Sequence, residues 1–335
     1  MDTLYFWDLL MWKGIAQINF QERNGISCSQ VVSNKQLSMT WLDFLRVFIA
    51  TGYKYSTKIY FNHHNIPYYF QMKINFSKIF KYRLKLAHSI GEFLVINNNR
   101  LVLDASFFGL DQSERGKWSY MLGMIFTKFV SEYEYGVIYL QNLDYAITTN
   151  VVSVYNFKGN NIRLSNSRPD FIGQDLNGNW VVFEAKGHLS GNSGLSLLRE
   201  AKNQARTIRC IEFNGTKVSP SLCIGSILTF NNYFNIETCD PPFEGNLFVN
   251  IKNYSKFIYY YYKFILDFFK EEKEKGKIVK KKYLGVPFQT AEIFLSNRRY
   301  RVGIYTPLFN KLIEVEKSDF KEKKRERLIF HFRYF

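Results

Sequence analysis

The stretch NWVVFEAKG, residues 179–187, constrains this chain more than any other. Trp180, Val181, Val182 and Phe183 form an apolar run that reads as a strand ready to be buried inside a sheet. The run ends in Glu184 and Lys186, and buried charges must be paired or bound to a metal. A strand of this kind forces the fold to supply partners for them.

The residues just upstream supply some. RPDFIGQ, residues 168–174, reads as a second strand, and Asn177-Gly178 between the two is a strong hairpin signal. A hairpin centred there pairs residues whose numbers sum to about 354 or 355, which sets Asp170 opposite Glu184 or within one residue of it. Glu184 and Lys186 project to one face of their strand, Val181, Phe183 and Ala185 to the other. Two carboxylates and an ammonium therefore meet at one point. Facing carboxylates repel unless a proton or cation lies between them, and Mg²⁺ favours a site of one or two carboxylates completed by water and phosphate. The lysine adds positive charge where it can hold an attacking water or stabilise a phosphate in its transition state. Other acid-x-Lys triplets occur, among them Glu200-Ala201-Lys202 and Glu322-Lys323-Lys324, but no Pro-Asp strand precedes them.

Pro169-Asp170, then Glu184-Ala185-Lys186, then a helix carrying Gln204, resembles the PD-(D/E)xK nuclease superfamily, the restriction-endonuclease-like fold. The resemblance covers roughly residues 113–230. It implies an α/β fold with an αβββαβ core, a mixed central sheet flanked by helices. It also implies that Asp170 and Glu184 bind Mg²⁺ or Mn²⁺ with the Ala185 carbonyl as a further ligand. Lys186 would orient and activate water, Gln204 would join the catalytic set, and Glu114 on the first core helix is a possible additional ligand. The implied activity is hydrolysis of DNA phosphodiesters, in a setting such as prokaryotic restriction or anti-phage defence. Partners would be DNA, a helicase, ATPase or other defence subunit, and a second copy of the chain where both strands are cut. An RNA-cleaving enzyme and a non-catalytic DNA-binding or assembly subunit are the alternatives on the same scaffold.

Composition bears on partners. Lys and Arg number 45 against 29 Asp and Glu, a formal net charge of +16, which suits a polyanion such as nucleic acid. Hydrophobic residues make up 46% of the chain, enough for a substantial core and incompatible with a disordered protein. Cys28, Cys210, Cys223 and Cys239 are far apart with no C-x-x-C, and read as reduced buried thiols of a cytoplasmic protein. The start lacks the basic region of a signal peptide, and no apolar run is long enough for a bilayer. Arg168, Lys202 and His188 are near enough to the motif to approach phosphate. His63-His64, without acidic or Cys neighbours, is no metal site.

The organisation expected is an N-terminal α+β extension (1–110), the nuclease core (111–235) and a basic, helix-containing C-terminal extension (236–335), with the two extensions recognising substrate or docking a partner. Helical spacing marks 39–50, 113–130 (with Ser113 as N-cap), 195–211 and 254–270. In the last, Phe257, Tyr261, Phe264, Ile265 and Phe268 share a core face. Strands are expected at 70–76, 136–140, 147–157, 222–230 and 247–251, and a hairpin at 93–104. The charged runs 270–282 and 321–327 read as a helix end or linker and as a solvated face.

Overall fold

WVVFEA is a buried strand, the middle of Trp180–His188, and it lies inside a mixed sheet flanked by helices. The computed structural model describes residues 4–7, 14–25, 27–51, 58–63, 66–71, 75–156, 168–189, 194–213, 216–218, 222–240, 245–283, 285–295 and 298–318. The chain divides into one unit of Leu10–Ile74 with Tyr82–Asn253 and another of Met1–Leu9, Asn75–Lys81 and Tyr254–Phe335. The expected segments 1–110, 111–235 and 236–335 cut across these units.

Among the described residues, nine strands make the main sheet of the larger unit. Trp180–His188 pairs antiparallel with Phe171–Gln174, whose other edge meets Gln141–Asn142. On its other side Trp180–His188 runs parallel to Leu222–Asn231. That strand reverses at Asn232 (φ 62°) into Tyr233–Cys239, which lies parallel to Ile15–Asn24. Gln30–Thr40 pairs antiparallel with Ile15–Asn24, and the hairpin Leu94–Asn97/Arg100–Leu103 completes the sheet. Its turn rests on Asn98 and Asn99, both left-handed, the conformation a tight hairpin needs and asparagine tolerates. A smaller sheet runs Thr216–Val218, Ile208–Phe213, Leu247–Ile251, Val152–Asn156.

Three glycines bring the helices unusually close to this sheet. Gly225 is the register partner of Glu184, so the two share a face. A Cβ on Gly225 would fall 2.4 Å from the Lys202 nitrogen, which places helix Gly194–Ala205 over that face. On the opposite face a Cβ on Gly187 would fall 1.7 Å from the Ser119 carbonyl oxygen, and one on Gly123 2.7 Å from the Gly187 nitrogen. Helix Gln112–Tyr133 therefore crosses the end of the Glu184 strand backbone against backbone. Thr127 of that helix hydrogen-bonds Ser226 at 3.0 Å beneath it.

Several expectations are corrected. Asp111, not Ser113, caps the helix Gln112–Tyr133, its carboxylate accepting the Ser113 and Glu114 N–H groups. Residues 136–140 form no strand: Val137 and Leu140 are buried as side chains, but the Val137 N–H is taken by the Ser131 carbonyl. The helix expected over 195–211 ends at Ala205, and the apolar run after it becomes the strand Ile208–Phe213. Of the strand expected at 70–76, Ile66–Gln71 forms, Met72 and Ile74 lie outside the described residues, and Phe76 opens the helix Phe76–Gly91. Cys28 and Cys239 are not separate thiols but a disulfide with a Cα–Cα distance of 6.0 Å; Cys210 and Cys223 are free and buried. Cys28 and Cys239 lie 211 residues apart, and it is the pairing of Cys239 with Arg23 that carries the second cysteine to the turn holding the first.

In the other unit, Leu4–Trp7, Arg298–Tyr305, Val286–Leu295 and Val279–Tyr283 form a sheet. Helix Tyr254–Glu274 buries Phe257, Tyr261, Phe264, Ile265 and Phe268, the face expected from its spacing, and Phe80 packs on Phe268 with ring centroids 4.6 Å apart. Val279–Tyr283 replaces part of the linker expected over 270–282, and 321–327 lies outside the described residues. Among the described residues no helix is long and apolar enough to cross a membrane.

The close crossing makes a test of opposite signs. Gly187→Ala is expected to destabilise by about 1–3 kcal/mol through overpacking. Gly116→Ala, whose added Cβ meets nothing within 4 Å, should stabilise by up to about 1 kcal/mol through helix propensity. Thermal unfolding of both variants measures this; equal melting temperatures would disprove the crossing.

Candidate active site

Along Trp180–His188 burial is complete through Ala185 and falls to intermediate from Lys186 onward. Glu184 is therefore the last polar group inside, with 3% of its surface exposed. The backbone ladder with the neighbouring strand ends one residue earlier, at Phe171 paired with Phe183. Beyond it, side chains take over. The Asp170 N–H donates to Glu184 Oε2 at 3.0 Å, and the Ala185 N–H donates to Asp170 Oδ2 at 3.0 Å. Lys186 Nζ lies 2.9 Å from Glu184 Oε1 and 3.3 Å from Glu200 Oε1 on helix Gly194–Ala205. The register expected from the turn holds, although the turn spans Asp175 to Asn179 and only Gly178 within it is left-handed.

The electrostatics follow from burial. Desolvation raises the Asp170 carboxyl, against the opposing pull of the Ala185 N–H and Lys186. Desolvation and then the charge of Asp170 push Glu184 up to about 8, despite its bonds to Lys186 and Asp170. Burial alone would lower Lys186, but hydrogen bonds and charge from Glu184 and Glu200 outweigh it and hold the ammonium protonated. The pair of acids thus carries a standing demand for positive charge that one lysine does not meet in full.

These groups line a cleft of about 660 Å³. Its far wall is the start of helix Gln112–Tyr133, with Arg115, Ser119 and Tyr120. Crowding by protein, then the charges of Asp170 and Glu184, raise the Tyr120 phenol. With 57% of that residue exposed, solvent screens much of the effect, and the direction is what matters: Tyr120 stays a hydroxyl donor.

The structure brings Asp170, Glu184, Ala185 and Lys186 together, with His188 also lining the cleft. It does not bring Gln204 or Glu114 there. Gln204 is half-buried on helix Gly194–Ala205 and is not part of the cleft's described lining. Glu200, four residues earlier on the same helix, occupies the position beside Lys186 instead. Glu114 is an exposed first-turn residue. Arg168 is buried against Asp144, and Lys202 Nζ reaches the Gly25 carbonyl at 3.4 Å, so neither stands free for phosphate. Sequence reasoning missed Glu200, Arg115 and Tyr120. The buried stripe Leu198, Ala201, Ala205 orients Glu200, but it could not say which turn of the helix meets the strand.

The donors that converge are the oxygens of two carboxylates, beside Ala185, whose N–H is taken by Asp170. Hard divalent cations take such sets, completing them with water. Among the described residues no group of three or more His, Cys, Asp and Glu side chains gathers. Comparison of the chain with protein-family models, with curated proteins and with solved structures yields no match.

The raised Glu184 fixes a pH dependence. Between the ordinary value of 4.5 and about 8 the unfolded chain is ionised at this position while the folded protein holds a proton. Folding takes up that proton, so stability falls as pH rises through the window. Melting of wild type against Glu184→Gln in EDTA should show the wild type losing ground steadily across it; parallel curves would contradict the buried pair.

Proposed function

We propose that this chain is a metal-dependent nuclease of the PD-(D/E)xK kind, hydrolysing phosphodiester bonds of DNA. The observation that carries the reading is the meeting of Asp170 and Glu184, both buried, with Lys186 2.9 Å from Glu184, at the mouth of a cleft. The order of elements supports it: helix Gln112–Tyr133, the hairpin Phe171–Gln174/Trp180–His188, helix Gly194–Ala205, then the parallel strand Leu222–Asn231. The restriction-endonuclease-like core is the fold this order fits best. The surplus of basic residues over acidic ones fits a polyanionic substrate. A cytoplasmic, DNA-handling setting such as restriction or phage defence, with an ATPase partner, follows from the resemblance.

Asp170, Glu184 and the Ala185 carbonyl would hold Mg²⁺ or Mn²⁺, and the demand for positive charge between the two acids is what fits them to it. When bound, the ion supplies Lewis acidity and charge neutralisation at a phosphodiester. The protein's own residues do the rest. Lys186, half-buried and protonated, donates hydrogen bonds to the attacking water and to a phosphate oxygen as its charge grows. Glu200 holds the lysine toward the cleft from the far side. Tyr120 and Arg115 offer donors on the opposite wall, where the scissile phosphate would lie between them and the acids. Helices against both faces of the sheet exclude water from the buried side of Glu184.

Cleavage of plasmid DNA and of single-stranded RNA, each with Mg²⁺, with Mn²⁺ and with EDTA, tests this. DNA should be cut only with the metals, and Glu184→Ala and Lys186→Ala should each lower the rate at least about 100-fold. Cutting of RNA alone would change the substrate; undiminished cutting by either variant would overturn the site. Uncut substrate throughout would favour a binding subunit.

A further inference from the structure

The face of the main sheet that carries Glu184 and Lys186 does not end at the helix covering it. In a ladder, register partners share a face, so the face can be followed strand by strand. His188 pairs with Thr229, Thr229 with Asn235, Asn235 with Asn19 and Asn19 with Gln36. This lateral row starts at a residue of the cleft. The next row outward holds Tyr233, Gln17 and Ser38, with Arg100 paired to Gln17 and its guanidinium over the Tyr233 ring at 4.4 Å.

The chemistry of these rows is distinctive. On this face Ile15–Asn24 presents Ile15, Gln17, Asn19 and Gln21, then Arg23 in its ion pair with Glu237, and Gln30–Thr40 presents Asn34, Gln36 and Ser38. Apart from the Arg23–Glu237 pair at one end and Arg100 at the other, the polar side chains of these rows are uncharged, in a chain with 45 Lys and Arg. Gln36 and Ser38 are exposed, as are Asn98 and Asn99 at the neighbouring turn; Gln17, Asn19 and Asn235 are half-buried. Cross-strand bonds order part of the array: Asn19 to Asn235 at 3.1 Å and Gln17 to Ser38 at 3.1 Å. The other faces of the same strands hold Ala16, Ile18, Phe20, Leu37 and Met39, all buried, so the amide face is fixed in register and cannot slip.

We infer that this amide-rich face reads the base edges of duplex DNA beside the cut, an inference that rests on the nuclease reading. Asparagine and glutamine pair with adenine and arginine with guanine through two hydrogen bonds each, whereas a surface that gripped only phosphates would be built of lysine and arginine. Strand surfaces serve as such readers in other proteins. Three strand steps of ~4.8 Å separate the Lys186 strand from Ile15–Asn24, about 14 Å along the sheet. At ~3.4 Å per base pair, that is about four base pairs from the scissile bond. The start of helix Gly194–Ala205 stands on this face at Thr229 and Glu237, so a duplex passing over that helix end would meet the cleft on one side of it and the amides on the other.

The test uses the full chain carrying Glu184→Ala, so that binding is read without cleavage. Selection from a randomised duplex library should enrich a preferred sequence. Affinity for that sequence over a scrambled one, by fluorescence anisotropy at fixed salt, should fall at least about tenfold on adding Gln36→Ala or Arg100→Ala. Arg100→Lys should fail to restore it, since an ammonium cannot make the paired bonds. No enrichment, enrichment retained by the variants, or binding confined to RNA would each overturn the inference while plasmid cleavage by the wild type still judged the nuclease reading. Absence of both DNA binding and cleavage would sink the two together.

Discussion

A carboxylate with 3% of its surface exposed, at the end of a strand buried along its length, is the constraint on which the rest of this site depends. Stripping an ion of water costs several kcal/mol even after the protein relaxes, and only well-placed partners offset it. Glu184 receives a backbone N–H from Asp170 and an ammonium from Lys186. Asp170 in turn receives the Ala185 N–H, so each acid is held by the backbone of the other's strand. The reciprocal bonds extend the hairpin past the point where its ladder stops. They leave Asp170 close enough to raise the proton affinity of Glu184 on top of its burial, and a fold selected for stability alone would have no reason to accept that.

The glycines decide where this charged end of the strand sits. With Cβ atoms at 123 and 187 the helix Gln112–Tyr133 would have to stand further off, and the cleft wall bearing Ser119 and Tyr120 would retreat from the acids. Gly225 does the same service on the other face, admitting the helix that presents Glu200 to Lys186. Close packing on both sides keeps the strand buried through Ala185, so that Glu184 lies where little water reaches it. Preorganised charge acts most strongly in such a place.

Much of the site was legible because it is local. The turn at Asn177-Gly178, the alternation of 181–186 and the proline before Asp170 settle which side chains meet, and Phe171 pairs with Phe183 as that reasoning requires. Helices with a clear apolar stripe, such as Trp41–Ala50 and Tyr254–Glu274, were legible for the same reason. What was not legible depends on distant parts of the chain. Glu200 reaches Lys186 only through the packing of Gly194–Ala205 on Gly225. Cys28 meets Cys239 only because Ile15–Asn24 joins the central sheet, and no spacing of four isolated cysteines could announce that. Residues 136–140 looked like a strand because Val137 and Leu140 are buried, yet burial of side chains does not require a ladder.

That same long-range pairing gives the amino-terminal segment a structural role in the central sheet. Leu222–Asn231 is buried on both faces and needs a neighbour on each side; Tyr233–Cys239 supplies one and itself leans on Ile15–Asn24. The segment is thus part of the sheet that holds Glu184, fastened there by the Arg23–Glu237 ion pair at 2.5 Å and by the disulfide. A recognition surface hung on a flexible extension would place bases loosely relative to the scissile phosphate. On the proposed reading, a face built into the same hydrogen-bonded sheet would fix the offset between reading and cutting to the spacing of its strands.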